Sequence, residues 1–150
     1  MKLFTNKKTV GYIIIIGCGR LGANLANTLS DGSGNIIVID RNPDAFHKLT
    51  PSFSGIAMTG DATEMYVLNN AKIEKAAAVI SVTNNDNTNI MVAQIAKKLF
   101  NIRRVLARLY DPERESVYLE FGINIIPPAV LSTNDIDKLL NISEMGAEVV

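Results

Sequence analysis

The feature that most constrains the fold of this chain is an apolar run that leads directly into a glycine-rich turn. The run Tyr12–Ile16 contains four consecutive isoleucines, and Gly17, Gly19 and Gly22 follow it with the spacing G-x-G-x-x-G. This pattern is typical of a β-strand, a tight turn and the start of an α-helix. Free N–H groups at the start of such a helix, and the positive end of its dipole, favour a bound anion. The sequence therefore predicts a βα unit that binds phosphate groups.

A second apolar run supports this interpretation, because it ends in an acidic residue at the expected distance. The run Ile36–Asp40 places the Asp40 carboxylate 18 residues after Gly22. In dinucleotide-binding units, a carboxylate in this position accepts hydrogen bonds from the hydroxyl groups of a ribose. The alternative is a plain βαβ turn with an aspartate at the end of the second strand.

Short β-branched runs alternate with helical patterns along the rest of the chain. Such alternation predicts an α/β fold, and the continuous β-branched character of the second run indicates burial on both faces of a parallel sheet. We therefore expect a Rossmann-type, doubly wound, six-stranded parallel sheet with strand order 3-2-1-4-5-6 and helices on both faces. The six predicted strands are Tyr12–Ile16, Ile36–Asp40, Gly55–Thr59, Ala77–Val82, Arg104–Leu109 and Ile123–Ile126.

The helices between these strands are predicted from apolar residues at helical spacing. These residues are expected to face the sheet, while the polar residues between them face solvent. The apolar positions are Leu21, Leu25 and Leu29, then Phe46 and Leu49, then Met65, Leu68 and Ile73, then Val92, Ile95, Ala96 and Leu99, then Val117 and Phe121.

Polar residues lie at or just after the carboxyl ends of three predicted strands, at the edge of the sheet where doubly wound folds bind nucleotides. After the third strand, Asp61 and Ala62 are expected to line this crevice, although Asp61 and Glu64 also resemble a capping box. Thr83–Asn89 follows the fourth strand and is rich in asparagine, which is also common in helix caps and turns. Arg108 is expected to point along the fifth strand toward the crevice, and the alternative is a surface charge on an edge strand.

Composition narrows the class of protein. The 150 residues are 47% hydrophobic and 20% charged, which predicts one folded domain with a substantial core. Lysine plus arginine equals aspartate plus glutamate at 15 each, so no excess of positive charge favours nucleic acid as a partner. The one cysteine, Cys18, excludes an intramolecular disulfide and indicates a reducing compartment. The first eight residues show no signal-peptide pattern, and no apolar run approaches the roughly 20 residues of a membrane span.

The sequence lacks the residues that hydride transfer would need beside a nicotinamide cofactor. Tyr66 and Tyr110 are followed four residues later by Asn70 and Arg114, so there is no Tyr-x-x-x-Lys pair. The one histidine, His47, is expected on the surface of a helix beyond the second strand, away from the crevice. No G-x-x-x-x-G-K-[ST] loop is present. We therefore expect a protein that is not an enzyme, and the isolated cofactor-binding domain of an NAD-dependent dehydrogenase is the alternative.

Several of these segments occur together, and in the same order, in one known family. The segments are Gly17–Gly22, the strand-end Asp40, Gly60–Thr63, Ala78–Asn84, and Arg108 followed by Asp111 and Pro112. Over residues 10–131 the chain thereby resembles the N-terminal nucleotide-binding domain of the RCK/TrkA family, the regulators of potassium conductance. Each motif alone is weak, whereas the combination is specific.

The resemblance implies a cytoplasmic regulatory subunit or domain, peripheral to the inner face of the cell membrane and not inserted in it, that gates an integral-membrane potassium transporter or channel. Family members bind NAD(H), ATP or ADP and form homodimers or larger rings. By position, the glycine turn would hold the phosphates, Arg20 a terminal phosphate and Asp40 the adenosine ribose. Asp61 and Ala62 would flank the adenine. The full set of candidate ligand-binding residues is Gly17, Cys18, Gly19, Arg20, Leu21, Gly22, Asp40, Arg41, Asp61, Ala62, Thr83, Asn84 and Arg108.

The same resemblance divides the chain into three parts. Residues 1–9 are expected to be an N-terminal extension, residues 10–131 the nucleotide-binding domain, and residues 132–150 a crossover helix and the start of a truncated C-terminal domain. Apolar residues on the late helices exceed what one face of the sheet needs, so we expect a second copy of the chain to cover some of them. These residues are Val92, Ile95, Leu99, Ile136, Leu139 and Leu140. A structural domain with a vestigial cleft remains a further alternative to a nucleotide sensor.

Overall fold

The computed structural model describes residues 11–30, 35–127, 136, 138 and 140, and its centre is a six-stranded parallel sheet. The strands are β1 (Tyr12–Ile16), β2 (Ile36–Asp40), β3 (Ile56–Thr59), β4 (Ala76–Ser81), β5 (Arg104–Arg108) and β6 (Asn124–Ile126). Their order across the sheet is β3-β2-β1-β4-β5-β6. Each end of each strand lies within one residue of its predicted position. The predicted fold class and strand order are confirmed.

Helices connect the strands and cover both faces of the sheet. The α-helices are α1 (Arg20–Leu29), α2 (Met65–Asn70), α3 (Asp86–Gln94) and α4 (Glu115–Glu120). Short 3₁₀ helices span Pro43–Lys48, Ile73–Lys75 and Pro112–Arg114, and a π-helical turn over Ile95–Leu99 continues α3. None of the helices in the described ranges is long and apolar enough to cross a membrane.

The strand β1 lies at the centre of the sheet, where both of its faces are covered. Ile14 aligns with Ile37 of β2 on one side and with Val79 of β4 on the other. Because side chains alternate between the two faces of a strand, Ile13 and Ile15 pack in the core beneath α1, whereas Ile14 packs in the core beneath α2 and α3. The chain order reverses beside β1, and this leaves a crevice at the carboxyl ends of β1 and β4.

Two short helices bury a different residue from the predicted one. In α2, Leu68 is buried as predicted, but Val67 is buried beside it and Met65 is 38% exposed. In α4, Tyr118 is buried while Val117 is 38% exposed. Each helix has six residues and follows a turn or a 3₁₀ helix, whose tighter winding changes the rotation at which the α-helix begins. The spacing of the apolar residues in the sequence does not indicate the rotation at which each of these helices begins.

The helix after β4 changes its winding before it ends. Val92 and Ala96 are buried, as predicted, but Leu99 is 61% exposed although it lies at the predicted spacing. The cause is the π-helical turn Ile95–Leu99, whose wider winding moves later residues away from the sheet. The prediction that Leu99 faces the sheet is therefore wrong.

The late apolar residues are mostly covered by this same chain. Ile136 and Leu140 are completely buried in the core beneath α1, and the carbonyl oxygen of Leu140 accepts a hydrogen bond from Nε of Arg104 at 2.8 Å. Val92 is buried in the opposite core. These three residues therefore need no second copy of the chain to cover them. Ile95 is half-buried and Leu99 is exposed, so the expectation that a second copy covers some of the apolar residues stays a prediction for these two. Leu139, residues 1–9 and most of 132–150 lie outside the described residues.

Candidate nucleotide-binding site

A cleft of about 670 Å³ lies at the carboxyl ends of the strands, beside the point where the chain order reverses. This volume is in the usual range for small-molecule and cofactor sites. Eleven of the thirteen candidate ligand-binding residues line the cleft: Gly17, Gly19, Arg20, Leu21, Asp40, Arg41, Asp61, Ala62, Thr83, Asn84 and Arg108. The other two, Cys18 and Gly22, are buried beside it.

The three glycines of the turn have different structural roles. Gly17 has a φ of +100°, a conformation that side chains disfavour. A Cβ atom at Gly22 would overlap the carbonyl oxygen of Gly17, so glycine is needed there for α1 to approach β1. A Cβ atom at Gly19 would meet no atom of the protein within 4 Å, and Gly19 lines the cleft. Glycine at position 19 is thus not needed for folding, but it leaves the backbone accessible from the cleft.

The start of α1 faces the same cleft without a capping side chain. Gly19 is the N-cap residue, and the first turn of the helix contains no acidic residue. The first N–H groups of a helix have no partners within the helix. The start of α1 therefore offers hydrogen-bond donors and the positive end of the helix dipole to an anion in the cleft.

Asp40, at the end of β2, is fixed by two backbone donors. The N–H of Cys18 donates to Oδ2 at 2.7 Å, and the N–H of Asn42 donates to Oδ1 at 2.9 Å. An ionised carboxylate has about four lone-pair sites, so each oxygen can accept a further hydrogen bond. Asp40 therefore joins β2 to the glycine turn and still has acceptors for the hydroxyl groups of a ligand.

Cys18 contributes its backbone to the site, not its thiol. The side chain is completely buried in the core beneath α1. Burial, and after it the negative charge of Asp40, raise the pKa of the Cys18 thiol. The thiol is therefore protonated and unreactive, and it acts as a small apolar group in the core.

Asp61 forms a local turn instead of the predicted capping box. Its Oδ1 accepts hydrogen bonds from the hydroxyl group of Thr63 at 2.6 Å and from the N–H of Thr63 at 2.9 Å. These bonds, that of the hydroxyl group first, lower the pKa of Asp61. The capping-box interpretation is wrong because α2 begins only at Met65, with Glu64 as its N-cap residue. Asp61 is thus held in its ionised form at the edge of the cleft.

The β4 side of the cleft is a hydrogen-bonded loop that leads into α3. The N–H of Asn85 donates to the Thr83 hydroxyl oxygen at 3.2 Å, and the Asn85 side chain caps α3 by accepting from the N–H of Thr88 at 3.0 Å. Asn85 and Thr88 line the cleft together with Thr83 and Asn84. The asparagine-rich segment therefore both caps the helix and forms a wall of the cleft.

Arg108 lies on an internal strand, because β5 is placed between β4 and β6. The edge-strand alternative is therefore wrong. The guanidinium carbon lies 4.7 Å from the centre of the Tyr110 ring, within the range of a cation–π contact. The Nε of Arg108 is buried and has no hydrogen-bond partner among the described residues. A buried, unpaired donor costs roughly 1–3 kcal/mol, so an acceptor on a ligand would relieve this cost.

The charges of the cleft suit a ligand that carries both phosphate and hydroxyl groups. Arginine binds phosphate oxygens through several N–H groups, and carboxylates accept hydrogen bonds from hydroxyl groups. The charged lining residues are Arg20, Arg41, Arg108, Asp40 and Asp61. His47 is exposed on a 3₁₀ helix and is not among the lining residues. Within the described ranges, no three His, Cys, Asp or Glu side chains are grouped to hold a metal ion.

Tyr110, which lines the cleft, and Asn89, which is buried outside its lining, were not among the candidate residues, although both carried a signal in the sequence. Tyr110 follows Arg108 by two residues, which is the spacing that places side chains on one side of an extended segment. Asn89 precedes Val92 and Ala96 by three and seven residues and is buried on the same face of α3 as they are. The apolar pattern of α3 therefore extends one turn further back, through a polar residue.

Comparison with known proteins agrees with this fold. Residues 13–127 match the model of the TrkA-N domain. The Trk system potassium uptake protein TrkA of Streptomyces coelicolor is 42% identical over 112 residues, which are 75% of this chain and 50% of that protein. This chain therefore spans half the length of that relative.

Two solved structures of GsuK are similar to this chain. The GsuK channel bound to NAD has a TM-score of 0.67 and 28% identity, over 92% of this chain and 24% of that one. GsuK bound to ADP has a TM-score of 0.67 and 27% identity, over 95% of this chain and 37% of that one. Both structures match the fold of this chain over more than nine-tenths of its length. This chain belongs to the TrkA-N domain family.

Proposed function

We propose that this protein is a nucleotide-sensing regulatory domain of a potassium transport system, with NAD(H) or ATP/ADP as its ligand. The observation that carries the proposal is the position of the Asp40 carboxylate. Its Oδ2 lies 2.7 Å from the backbone nitrogen of Cys18 in the glycine turn, and Asp40 lines the same cleft as the start of α1. Acceptors for the hydroxyl groups of a ribose and N–H donors for phosphate groups therefore lie next to each other. The GsuK structures with NAD and with ADP support both ligand classes.

In the proposed complex, the ligand crosses the end of β1. Its phosphates lie over Gly19 and the start of α1, with the ribose of the adenosine on Asp40 and the adenine near Asp61 and Ala62. The other half of NAD, or the terminal phosphates of ATP or ADP, lies toward the β4 and β5 side. The residues that we assign to this ligand are Gly17, Cys18, Gly19, Arg20, Leu21, Gly22, Asp40, Arg41, Asp61, Ala62, Thr83, Asn84 and Arg108.

The domain would act by regulation and not by catalysis. The Streptomyces relative is a Trk system potassium uptake protein, and the similar GsuK chain is a channel. We therefore infer an integral-membrane potassium transporter or channel as the partner, a homodimer or larger ring as the assembly, and a position at the cytoplasmic face of the membrane. Residues 10–131 would bind the ligand, and residues 132–150 would connect to a further domain. Regulation requires that the ligand binds two arrangements of the assembly with different affinities.

Ligand binding is tested by thermal unfolding with NAD+, NADH, NADP+, ATP, ADP and cyclic dinucleotides, because a ligand that binds only the folded state raises its Tm. We expect NAD(H) or ATP/ADP to raise the Tm, and we expect no steady oxidation of NADH in a parallel hydride-transfer assay. Steady turnover of NADH with a small substrate would favour the dehydrogenase alternative. An unchanged Tm with every nucleotide would favour a structural domain with a vestigial cleft.

Regulation is tested by potassium flux in vesicles that contain the transporter together with this protein. We expect the nucleotide that raises the Tm to change the flux, and we expect Gly19→Val to abolish this response. A flux that is the same with and without nucleotide, in vesicles where binding is saturated, would contradict the regulatory role.

A further inference from the structure

Asn89 lies in the middle of α3, is completely buried, and is not among the residues that line the cleft. Its side-chain oxygen accepts hydrogen bonds from the Ser81 hydroxyl group at 3.1 Å, the Thr83 N–H at 2.9 Å and the Thr83 hydroxyl group at 2.7 Å. Its side-chain nitrogen donates to the carbonyl oxygens of Thr83 at 3.0 Å and Arg108 at 3.1 Å. One buried amide therefore contacts the ends of both β4 and β5.

The orientation of this amide follows from its partners. Two carbonyl oxygens surround the nitrogen and need a donor, whereas the N–H of Thr83 needs an acceptor. A reversed amide would place acceptor against acceptor and donor against donor. Because a fully satisfied buried amide has one favourable arrangement, Asn89 fixes the relative position of the groups that it contacts.

The contact lies where the sheet no longer joins the two strands. The last aligned pair of β4 and β5 is Ser81 with Ala107. Beyond it, the Asn89 amide bridges the carbonyl oxygens of Thr83 and Arg108, and both of these residues line the cleft. The shape of this half of the cleft therefore depends on a side chain that does not line it.

Two further side chains hold the segment that carries Arg108. The carboxylate of Asp86, one turn before Asn89, accepts from the N–H of Tyr110 at 2.8 Å and from the N–H of Asp111 at 2.9 Å. The hydroxyl group of the buried Tyr118 lies 3.2 Å from the Arg108 carbonyl oxygen. The Asp86 and Tyr118 contacts hold the backbone of residues 108–111. The Asn89 amide contacts the same segment at Arg108, and it also joins that segment to Thr83.

We propose that Asn89 is a positioning residue that sets the β4 and β5 half of the cleft, and thereby the affinity for ligands that extend into that half. The inference rests on the proposed function, which places adenosine on the β2 and β3 side. A ligand confined to that side, such as AMP, should be insensitive to residue 89. A dinucleotide that reaches Thr83 and Arg108 should be sensitive to it.

The test is the ratio of NAD affinity to AMP affinity, measured by calorimetry for the wild type, Asn89→Asp and Asn27→Asp. In Asn89→Asp a carboxylate oxygen would face the two carbonyl oxygens, so we expect NAD affinity to fall by about tenfold, the loss that one hydrogen bond accounts for, while AMP affinity is retained. Asn27 is a matched control: its amide donates to the Lys48 carbonyl at 3.1 Å and accepts from the Thr50 N–H at 3.0 Å, outside the cleft. Asn27→Asp should leave the ratio unchanged.

The pH dependence gives a second measure on the same variants. A protonated carboxyl group at position 89 can again donate to one carbonyl oxygen, so the NAD affinity of Asn89→Asp should recover as the pH is lowered. The NAD affinity of Asn27→Asp should not recover in this way. If Asn89→Asp does not fold, the ratio is measured on Asn89→Ser, whose shorter side chain cannot bridge the two carbonyl groups.

A folded Asn89 variant with the wild-type ratio, or with NAD and AMP affinities lowered equally, would overturn the inference and leave the proposed function intact. A wild-type protein that binds none of NAD, AMP, ATP and ADP would instead overturn the proposed function itself.

Discussion

The carboxylate of Asp40 accepts a hydrogen bond from the backbone N–H of Cys18 at 2.7 Å, and this bond joins the end of β2 to the glycine turn after β1. The backbone ladder between the two strands continues as far as a 2.8 Å hydrogen bond from the Gly17 N–H to the Ile39 carbonyl oxygen. The hydrogen bond from the Cys18 N–H to the Asp40 carboxylate continues the connection between the two strands by one more residue, into the glycine turn. Asp40 therefore has two effects on ligand binding, since it orients the turn that would contact phosphates and offers acceptors to a ribose.

Replacing Asp40 by asparagine should lower the affinity for NAD by about tenfold or more. A carboxamide has one acceptor oxygen, so it cannot accept from Cys18 and Asn42 through separate oxygens as the carboxylate does. It also lacks the charge that strengthens hydrogen bonds to a ribose; a hydrogen bond to a charged group contributes roughly 1.5–3 kcal/mol, and tenfold in affinity is about 1.4 kcal/mol. The affinities for NAD and NADP are measured by calorimetry.

The preference for NAD over NADP should fall in the same variant, because a neutral side chain no longer repels a 2′-phosphate. Asp44→Asn is the matched control, since Asp44 is exposed on the neighbouring 3₁₀ helix and is not among the residues that line the cleft. Equal effects of the two substitutions, or tight binding of NADP by the wild type, would rule out the role assigned to Asp40.

Gly19→Val should abolish nucleotide binding while the protein stays folded. A side chain at position 19 meets no protein atom within 4 Å and would occupy the space over the turn where phosphates are placed. The φ of Gly19 is −76°, which every residue can adopt. We expect a change of about 1 kcal/mol or less in the free energy of unfolding, the cost of losing a glycine N-cap. Chemical denaturation and calorimetry measure the two properties separately.

Gly22→Val is the comparison for this variant. A Cβ at Gly22 would overlap the Gly17 carbonyl oxygen, so the substitution should destabilise the fold itself, by more than the roughly 1–3 kcal/mol usual for overpacked cores. If Gly19→Val binds nucleotide with wild-type affinity, the ligand does not lie over this turn.

Arg108→Met should weaken ligand binding without destabilising the free protein. The substitution removes a buried Nε that has no partner among the described residues, so the free protein loses no hydrogen bond from that atom. It also removes the cation–π contact with Tyr110, but at roughly 0.5–1 kcal/mol that contact contributes less than the roughly 1–3 kcal/mol that an unpaired buried donor costs. The ligand loses a cation on the β4 and β5 side of the cleft. We expect an unchanged or higher Tm without ligand and a smaller increase of Tm on adding NAD. Arg103→Met, an exposed arginine just before β5, is the control, and an equally reduced ligand effect there would contradict the role of Arg108.

Thr63→Val should change how stability depends on pH at the acid end. The Thr63 hydroxyl and N–H groups hold the folded-state pKa of Asp61 below its ordinary value of 3.8. The resulting stabilisation is therefore present above about pH 4 and is lost as the pH falls through the folded-state pKa. Urea unfolding from pH 6 to pH 2.5 should show that Thr63→Val is less stable at pH 6 and that its deficit shrinks at low pH. The exposed Thr28→Val is the control, and parallel pH curves for all three proteins would contradict the prediction.

The strands could be predicted because their signals are local. Runs such as Ile13–Ile16 and Ile36–Ile39, buried on both faces, are typical of a parallel sheet with helices on each side, and the glycine turn after the first run favours the Rossmann strand order. Helix rotation was less predictable. Tyr118 faces the core in place of Val117 because a 3₁₀ helix precedes α4, and no residue type announces that tighter turn.

The site was predictable where each residue acts from the end of its own strand. Gly19, Asp40 and Arg108 all line the cleft because the carboxyl ends of parallel strands meet at one edge of the sheet. The Asp40 to Cys18 bond and the Asn89 bridge were not predictable. Both depend on the distance between elements that are far apart in the chain. The spacing of Asn89 from Val92 and Ala96 indicates a buried position, but it does not indicate which backbone groups the Asn89 amide contacts.

The position of the ligand phosphates can be read from the response of individual backbone amides to NAD in a ¹H–¹⁵N correlation spectrum of the protein. If the ligand phosphates lie over the glycine turn, the amide resonances of Cys18, Gly19 and Arg20 should show the largest shifts, saturating with one NAD per chain. The amide of Lys75, at the opposite end of the sheet before β4, should stay unchanged. Saturable NAD binding that leaves the amides of the turn unshifted would show that the phosphates do not lie over the glycine turn.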